Sequence, residues 1–187
     1  MIVVVVAKVP SPGKSKTRLG SIIGAELAAK IAESLFADVV LNYSRPFGTN
    51  VCNRIIYYAP GTDEAERKLK VLLDKWLSGT KYMPTKWTLI PMTSSATSVL
   101  NCPDLGTHLR HFLTSAVPRL GQKSDHSSAG IPIIFTGMDC PTIPTEVLSI
   151  AAERSRQNRA YMFVSHVMYW CLPLKIEFSA HLSLVWQ

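Results

Sequence analysis

Residues 2–7 are apolar without a break, and they run directly into a loop, residues 8–18, that carries Lys8, Lys14, Lys16 and Arg18. An apolar run with no polar alternation predicts a strand buried on both faces of a sheet. Pro10 and Pro12 stiffen the loop, and Gly13 permits a backbone turn that other residues resist. Four cations gathered at a strand's carboxyl end repel one another unless an anion sits among them. That end is also where open α/β sheets bind ligands. A phosphate or diphosphate is the natural guest. A solvated basic loop is the plain alternative, ranked second because of where the charges sit.

Gly13-Lys14-Ser15 looks like the end of a phosphate-binding P-loop, G-x-x-x-x-G-K-[ST]. That motif needs a glycine five positions before Gly13, where this chain has Lys8. Pro10 and Pro12 also remove N–H groups that such a loop aims at phosphate. The P-loop reading is set aside, and side chains must do more of the anion binding.

The 187 residues suffice for a single domain, 1–187, with a sizeable core; 47% hydrophobic and 18% charged content fit a globular protein. A net charge of +7 suits an anionic ligand, and also non-specific nucleic-acid binding. No basic tract exceeds the first loop and no zinc-finger or RNA-binding signature is present, so nucleic acid stays a minor alternative. Cys52, Cys102, Cys140 and Cys171 are widely spread, with no pair at zinc-site spacing. They point to a reducing, cytoplasmic setting. The first apolar run lacks a basic lead and a small-residue cleavage site, so it reads as a strand rather than a signal peptide. Residues 160–174 are too short, and too interrupted by Ser165 and His166, for a membrane span. No membrane partner is expected.

Along the chain, residues 26–42 predict a helix whose stripe is Leu27, Ile31, Leu35 and Val39, with Gly20 and Ser21 before it. Residues 54–59 predict a strand ended by Pro60 and Gly61. Asp63, with Glu66 three residues on, offers an N-cap and capping-box partner for a helix carrying Leu69, Leu72, Leu73 and Trp76. Glu64, Arg67, Lys68 and Lys75 read as its solvated face. Residues 87–90 form a third strand candidate, and 93–101 a polar loop. Asp104-Leu105-Gly106 then opens a helix facing inward with Leu109, Phe112, Leu113, Ala116 and Leu120, ended or kinked by Pro118. His108 and His111 lie on it without a carboxylate or cysteine to complete a metal set. Residues 121–130 read as a surface linker, 131–136 as a fourth strand and 145–157 as a fourth helix. Strand and helix alternating four times predict an α/β fold, three layers αβα, with a mainly parallel sheet.

Asp139 follows the fourth strand directly, in Gly137-Met138-Asp139-Cys140-Pro141. Parallel strands point their carboxyl ends one way, so Asp139 is expected to face the cavity over the first loop. There it could hold Mg²⁺ or Mn²⁺ against substrate phosphates. Capping of the next helix or turn explains it equally well from spacing alone. Cys140, with no paired histidine, reads as a small buried side chain.

Three blocks together resemble a known family. AKVPSPGKSKTRL (residues 7–19), DLG (104–106) and TGMDCPTI (136–143) resemble AKxPxPGxxKTRL, DLGxRM and IGxDCPxL of DUF2064, the radical-SAM/selenodomain-associated transferase 1 family. The resemblance spans residues 2–157. That family belongs to the nucleotide-diphospho-sugar transferases, of Rossmann-like GT-A fold. It is akin to nucleotidyltransferases that make molybdopterin guanine dinucleotide or activate phospholactate. The resemblance implies nucleotide and phosphate binding by Ala7, Lys8, Pro12, Gly13, Lys14, Lys16, Thr17, Arg18, Asp104 and Gly106. It implies Mg²⁺ or Mn²⁺ on Asp139, with Lys16 and Arg18 catalytic, stabilising charge on a diphosphate leaving group. The partners would be a nucleotide or nucleotide sugar and an acceptor, and the reaction glycosyl or nucleotidyl transfer. No general base is evident.

The family continues, after the fourth helix, into a strand and a block resembling GPxxDGGYYL. Residues 158–187 carry no such block; they are apolar and aromatic, a truncated or divergent tail that could add a strand. Its absence supports the alternative, a non-catalytic nucleotide-binding protein that has lost the acceptor half of its site.

Overall fold

Strand β1 (Ile2–Lys8) stands in the middle of the sheet, paired in parallel with β2 (Asn53–Ala59) on one side and β4 (Ile133–Gly137) on the other. Both flanks and both faces of β1 are therefore covered, which is why its residues need no polar alternation. Val3, Val5 and Ala7 enter one core cluster, Ile2 and Val4 the other. The computed structural model describes residues 1–45, 53–79, 86–92, 105–116, 132–158, 160–164 and 169–173. The polar loop 93–101, Asp104, Cys52, Cys102, Pro118, Leu120 and the linker 121–130 lie outside the described residues.

Strand β3 (Trp87–Pro91) pairs in parallel beyond β2, and β5 (Ala160–Val164) in parallel beyond β4. The edge strand β6 (Tyr169–Pro173) runs antiparallel to β5, so the described strands lie in the order β3-β2-β1-β4-β5-β6. The apolar tail thus contributes two strands. Chain order reverses between β1 and β4. That is the switch point beside which open α/β sheets form their ligand crevice.

On one face, β1 packs against α2 (Ala25–Ser44) and α3 (Asp63–Leu77), and α5 (Thr145–Asn158) joins the same cluster. On the other, α4 (Leu105–His111) and a π-helical turn (Phe112–Ala116) bring Leu109 and Phe112 against Tyr57 and Phe135. The Phe112 ring lies 5.0 Å from Tyr57 and 5.6 Å from Phe135, centroid to centroid. The three-layer αβα expectation holds.

Three local expectations are corrected. The buried stripe of α2 is Ala28, Ala32, Phe36, Val39 and Tyr43, one position round from the Leu27-Ile31-Leu35 series. Small alanines let the helix axis approach the sheet, and the larger leucines ride on its flanks; Leu27 is 50% exposed. Residues 17–23 form a separate short helix, α1 (Thr17–Ile23), joined to α2 through Gly24 at φ 91°. The N-cap of α3 is Thr62, one residue earlier than Asp63; its side chain accepts the Ala65 N–H at 3.3 Å. Glu66 takes no part in a capping box and pairs with Lys70 at 2.6 Å.

The Tyr43 and Tyr57 hydroxyls are buried, and burial pushes both up to about 12. Tyr43 meets the Thr136 hydroxyl at 3.4 Å, and Tyr57 donates to the His108 carbonyl at 3.0 Å. The unfolded chain releases these protons near pH 10 while the folded one keeps them. Above pH 10 the unfolded state binds fewer protons, so stability falls as pH rises from 10 to 12. Urea midpoints taken across that range should show the decline, and Tyr43→Phe/Tyr57→Phe should flatten it. An equal slope in both proteins would refute the assignment.

Candidate functional site

The loop after β1 is tied together before any ligand arrives. Val9 N–H donates to the Ala59 carbonyl at 2.8 Å, anchoring the loop to the end of β2. Gly13 takes φ 69°, and the turn closes through Lys14 and Ser15 N–H groups on the Ser11 carbonyl at 3.1 and 3.0 Å. Ser15, 4% exposed, is the peg: its Oγ accepts the Ser11 N–H at 2.9 Å and donates to the Val9 carbonyl at 3.3 Å. The loop then turns into α1 through Lys16, which sits in the left-handed region at φ 50°, ψ 45°. That conformation is uncommon for a residue with a Cβ.

The turn after β4 meets this loop. Met138 N–H donates to the Val6 carbonyl at 3.1 Å, and Lys8 N–H points at Met138 Sδ at 3.2 Å. Asp139 is thereby set across from the loop, and its Oδ2 lies 2.8 Å from Lys16 Nζ. The lysine side chain is 30% exposed and the carboxylate 50%. Lys8, Lys14, Thr17 and Arg18 are exposed, as are Pro12 and Gly13; Ala7 is buried and offers the site only its backbone. Gly106 lies in the first turn of α4, on the sheet face opposite α2 and α3. Cys140 is buried at 7% exposure, as its sequence context suggests.

Beyond Asp139 the chain is pinned to α2, where Asn42 Nδ2 donates to the Ile143 carbonyl at 3.1 Å. A groove of about 410 Å³ follows this seam, lined by Asp38 and Asn42 of α2, by Arg45 just after it and by residues 141–144. At the exit of β2, a Cβ on Gly61 would fall 2.7 Å from the Met92 carbonyl oxygen, so the loops after β2 and β3 ride against each other.

Glu64, Arg67, Lys68 and Lys75 are exposed, as expected of a solvated face, and Lys68 also reaches the loop after β1. Its Nζ donates to the Pro10 carbonyl at 2.5 Å. Lys75 is likewise engaged, with Glu33 at 3.2 Å. Ser15 was overlooked; the only linear signal is its position four residues after Ser11, across a Pro-Gly turn.

No group of three or more His, Cys, Asp or Glu that could hold a metal occurs among the described residues. Mg²⁺ does not require one: it keeps several waters and takes one or two carboxylates plus substrate phosphates. A single half-exposed carboxylate facing the cations of the loop after β1 fits that donor set.

No family model matches this chain, and none of the curated proteins matches it. A solved structure does. It comes from Desulfovibrio desulfuricans G20, a protein provisionally classed as a nucleotide-diphospho-sugar transferase, with TM-score 0.55 and 23% identity over 81% of this chain and 52% of that one. The two chains share a fold. The present chain spans about half the length of that structure. At this identity the likeness carries the architecture alone, and the DUF2064 resemblance rests on the three sequence blocks. No helix among the described residues is long and apolar enough to cross a membrane.

Proposed function

We propose that this chain is a metal-dependent transferase that takes an activated nucleotide, binding its diphosphate over the loop 8–18 and moving a glycosyl or nucleotidyl group to an acceptor. The observation that carries the reading is the Lys16–Asp139 pair, a cation and a carboxylate from separate loops brought to 2.8 Å at the sheet's switch point. A pair this exposed is worth about 0–1 kcal/mol. A diphosphate can therefore draw Lys16 away at little cost. Arg18 is exposed on α1 and able to grip phosphate oxygens bidentately. Lys14 adds charge from the rim. Lys16 and Arg18 are the residues that would stabilise negative charge on the departing diphosphate. Asp139 would hold the divalent cation, which supplies further positive charge to that leaving group. The superfamily of the structural neighbour and the three DUF2064-like blocks favour this chemistry over simple anion binding.

One observation favours a second reading, non-catalytic nucleotide binding: residues 158–187 lack the DGGY-like block, and their described residues include β5 and β6. Turnover separates the two. Release of nucleoside diphosphate from a nucleotide sugar, or of pyrophosphate from a nucleoside triphosphate, supports the transferase, and tight binding without either release supports the second reading.

The first test is a thermal-shift screen against nucleoside di- and triphosphates and nucleotide sugars, with and without Mn²⁺. A ligand at a hundred times its Kd stabilises by about 2.7 kcal/mol. For a chain of this size that raises Tm by about 5–10 °C. The expected result is a Mn²⁺-dependent rise with one nucleotide class. A cooperative melt that no nucleotide shifts would overturn the proposal.

A further inference from the structure

Helix α3 spends most of its described basic side chains on acids or carbonyls of the helical layer. Lys70 pairs with Glu66 of the same helix, and Lys75 with Glu33 of α2. Arg67 Nε donates to the Asp63 carbonyl at 3.4 Å. Lys68 alone among these turns to the loop after β1, 58 positions away in sequence, and donates to Pro10. We propose that Lys68 is a positioning residue of the anion loop. Its ammonium holds the Pro10 carbonyl and so fixes the curvature that carries Lys14, Lys16 and Arg18 toward one anion.

The case rests on backbone accounting at the loop's first bend. Val9 N–H is taken by Ala59, and its carbonyl by Ser15 Oγ. Ser11 N–H is taken by Ser15 Oγ, and its carbonyl by Lys14 and Ser15 N–H groups. Pro10 has no N–H to give. Its carbonyl is the one remaining backbone polar group of residues 9–11, and Lys68 takes it. With that bond the bend is satisfied at every backbone atom. One tie comes from β2, one from α3 and the rest from within. Without it, the Pro10 carbonyl has to find water, and the bend loses its only side-chain tie from another element among the bonds described.

The arrangement also suits the chemistry of the guest. An ammonium has three donors and a full charge, so binding one carbonyl leaves Lys68 positive beside the loop. An anion then meets a loop that is already curved and does not have to order it, which lowers the cost of binding. Lys68 acts through the loop and is not itself required to touch phosphate. This inference rests on the phosphate-binding reading above.

Pyrophosphate is the probe, titrated by calorimetry into wild type, Lys68→Met, Lys68→Arg and Lys14→Met. Hydrogen exchange is followed in the peptide 9–16, and a melt checks folding of each variant. Lys68→Met should speed exchange in that peptide and weaken pyrophosphate about tenfold, the loss expected for one charge-assisted bond. Lys68→Arg should restore both. Lys14→Met should weaken binding with exchange unchanged. Wild-type affinity in Lys68→Met would overturn the proposal. Weakened affinity with unchanged exchange would also overturn it, making Lys68 a direct phosphate ligand. Failure of wild type to bind pyrophosphate would overturn the phosphate reading itself, with the exchange data still reporting whether Lys68 holds the loop.

Discussion

Asp139→Asn should abolish the metal dependence of nucleotide binding and leave Tm within about 4 °C of wild type. The side chain is half-exposed and its one described ion pair, with Lys16, is partly solvated. Such a pair contributes about 0–1 kcal/mol to stability. Asparagine keeps the shape of the side chain and removes only the charge. The two conditions should therefore move in opposite directions. With Mn²⁺, a nucleoside diphosphate should bind at least about tenfold more weakly than to wild type, because the carboxylate that anchors the cation is gone. Without metal it should bind somewhat more tightly, because Lys16 is released and a negative charge has left the anion's surroundings. Isothermal titration in both conditions reads the pair of effects. Equal affinity with and without Mn²⁺ in both proteins would remove Asp139 from any metal role.

Lys16→Ala combined with Arg18→Ala should weaken diphosphate binding about a hundredfold while a nucleoside loses little. Each residue offers a charge-assisted hydrogen bond worth about 1.5–3 kcal/mol where it is well formed. Solvent exposure of Arg18 argues for the lower end. Lys16 occupies a left-handed backbone conformation at φ 50°, and alanine meets the same steric restriction, so the loop keeps its shape without a new glycine. Comparing pyrophosphate, a nucleoside diphosphate and the bare nucleoside separates charge from base recognition. A uniform loss across all three would mean the loop had collapsed and would count against a phosphate role.

What the sequence revealed and what it hid follow from the range of the forces involved. β1 was legible because burial on both faces leaves no room for polar alternation, and Asp139 because it follows a second such strand. α1 was not, since residues 17–23 contain a glycine and only one turn of helical apolar spacing, Leu19, Ile22 and Ile23. The stripe of α2 was read from the largest side chains, whereas close approach to the sheet favours the smallest, Ala28 and Ala32. Thr62 and Asp63 are both good caps; Thr62 takes the role because its backbone is extended, at φ −107° and ψ 155°. At the site, the charges of Lys14, Lys16 and Arg18 were plain. The Ser15 peg and the reach of Lys68 were not, because each depends on a chain path that no local pattern encodes. Nothing in composition announces a positive φ at Lys16.

The central position of β1 also governs when the site comes into being. Its partner on one side arrives within the first third of the chain, but Met138, which seats the turn bearing Asp139, lies 130 residues from Lys8. Loop closure over that distance is slow, because its entropy cost precedes any contact that rewards it. Until β4 docks, one border of β1 is bare: an apolar strand offering unpaired amides to any neighbouring chain. Lys16 and Asp139 meet only when that border is closed. The Lys16–Asp139 contact therefore reports that β1 and β4 have paired, and conditions that delay this pairing should yield aggregates before they yield a misformed turn.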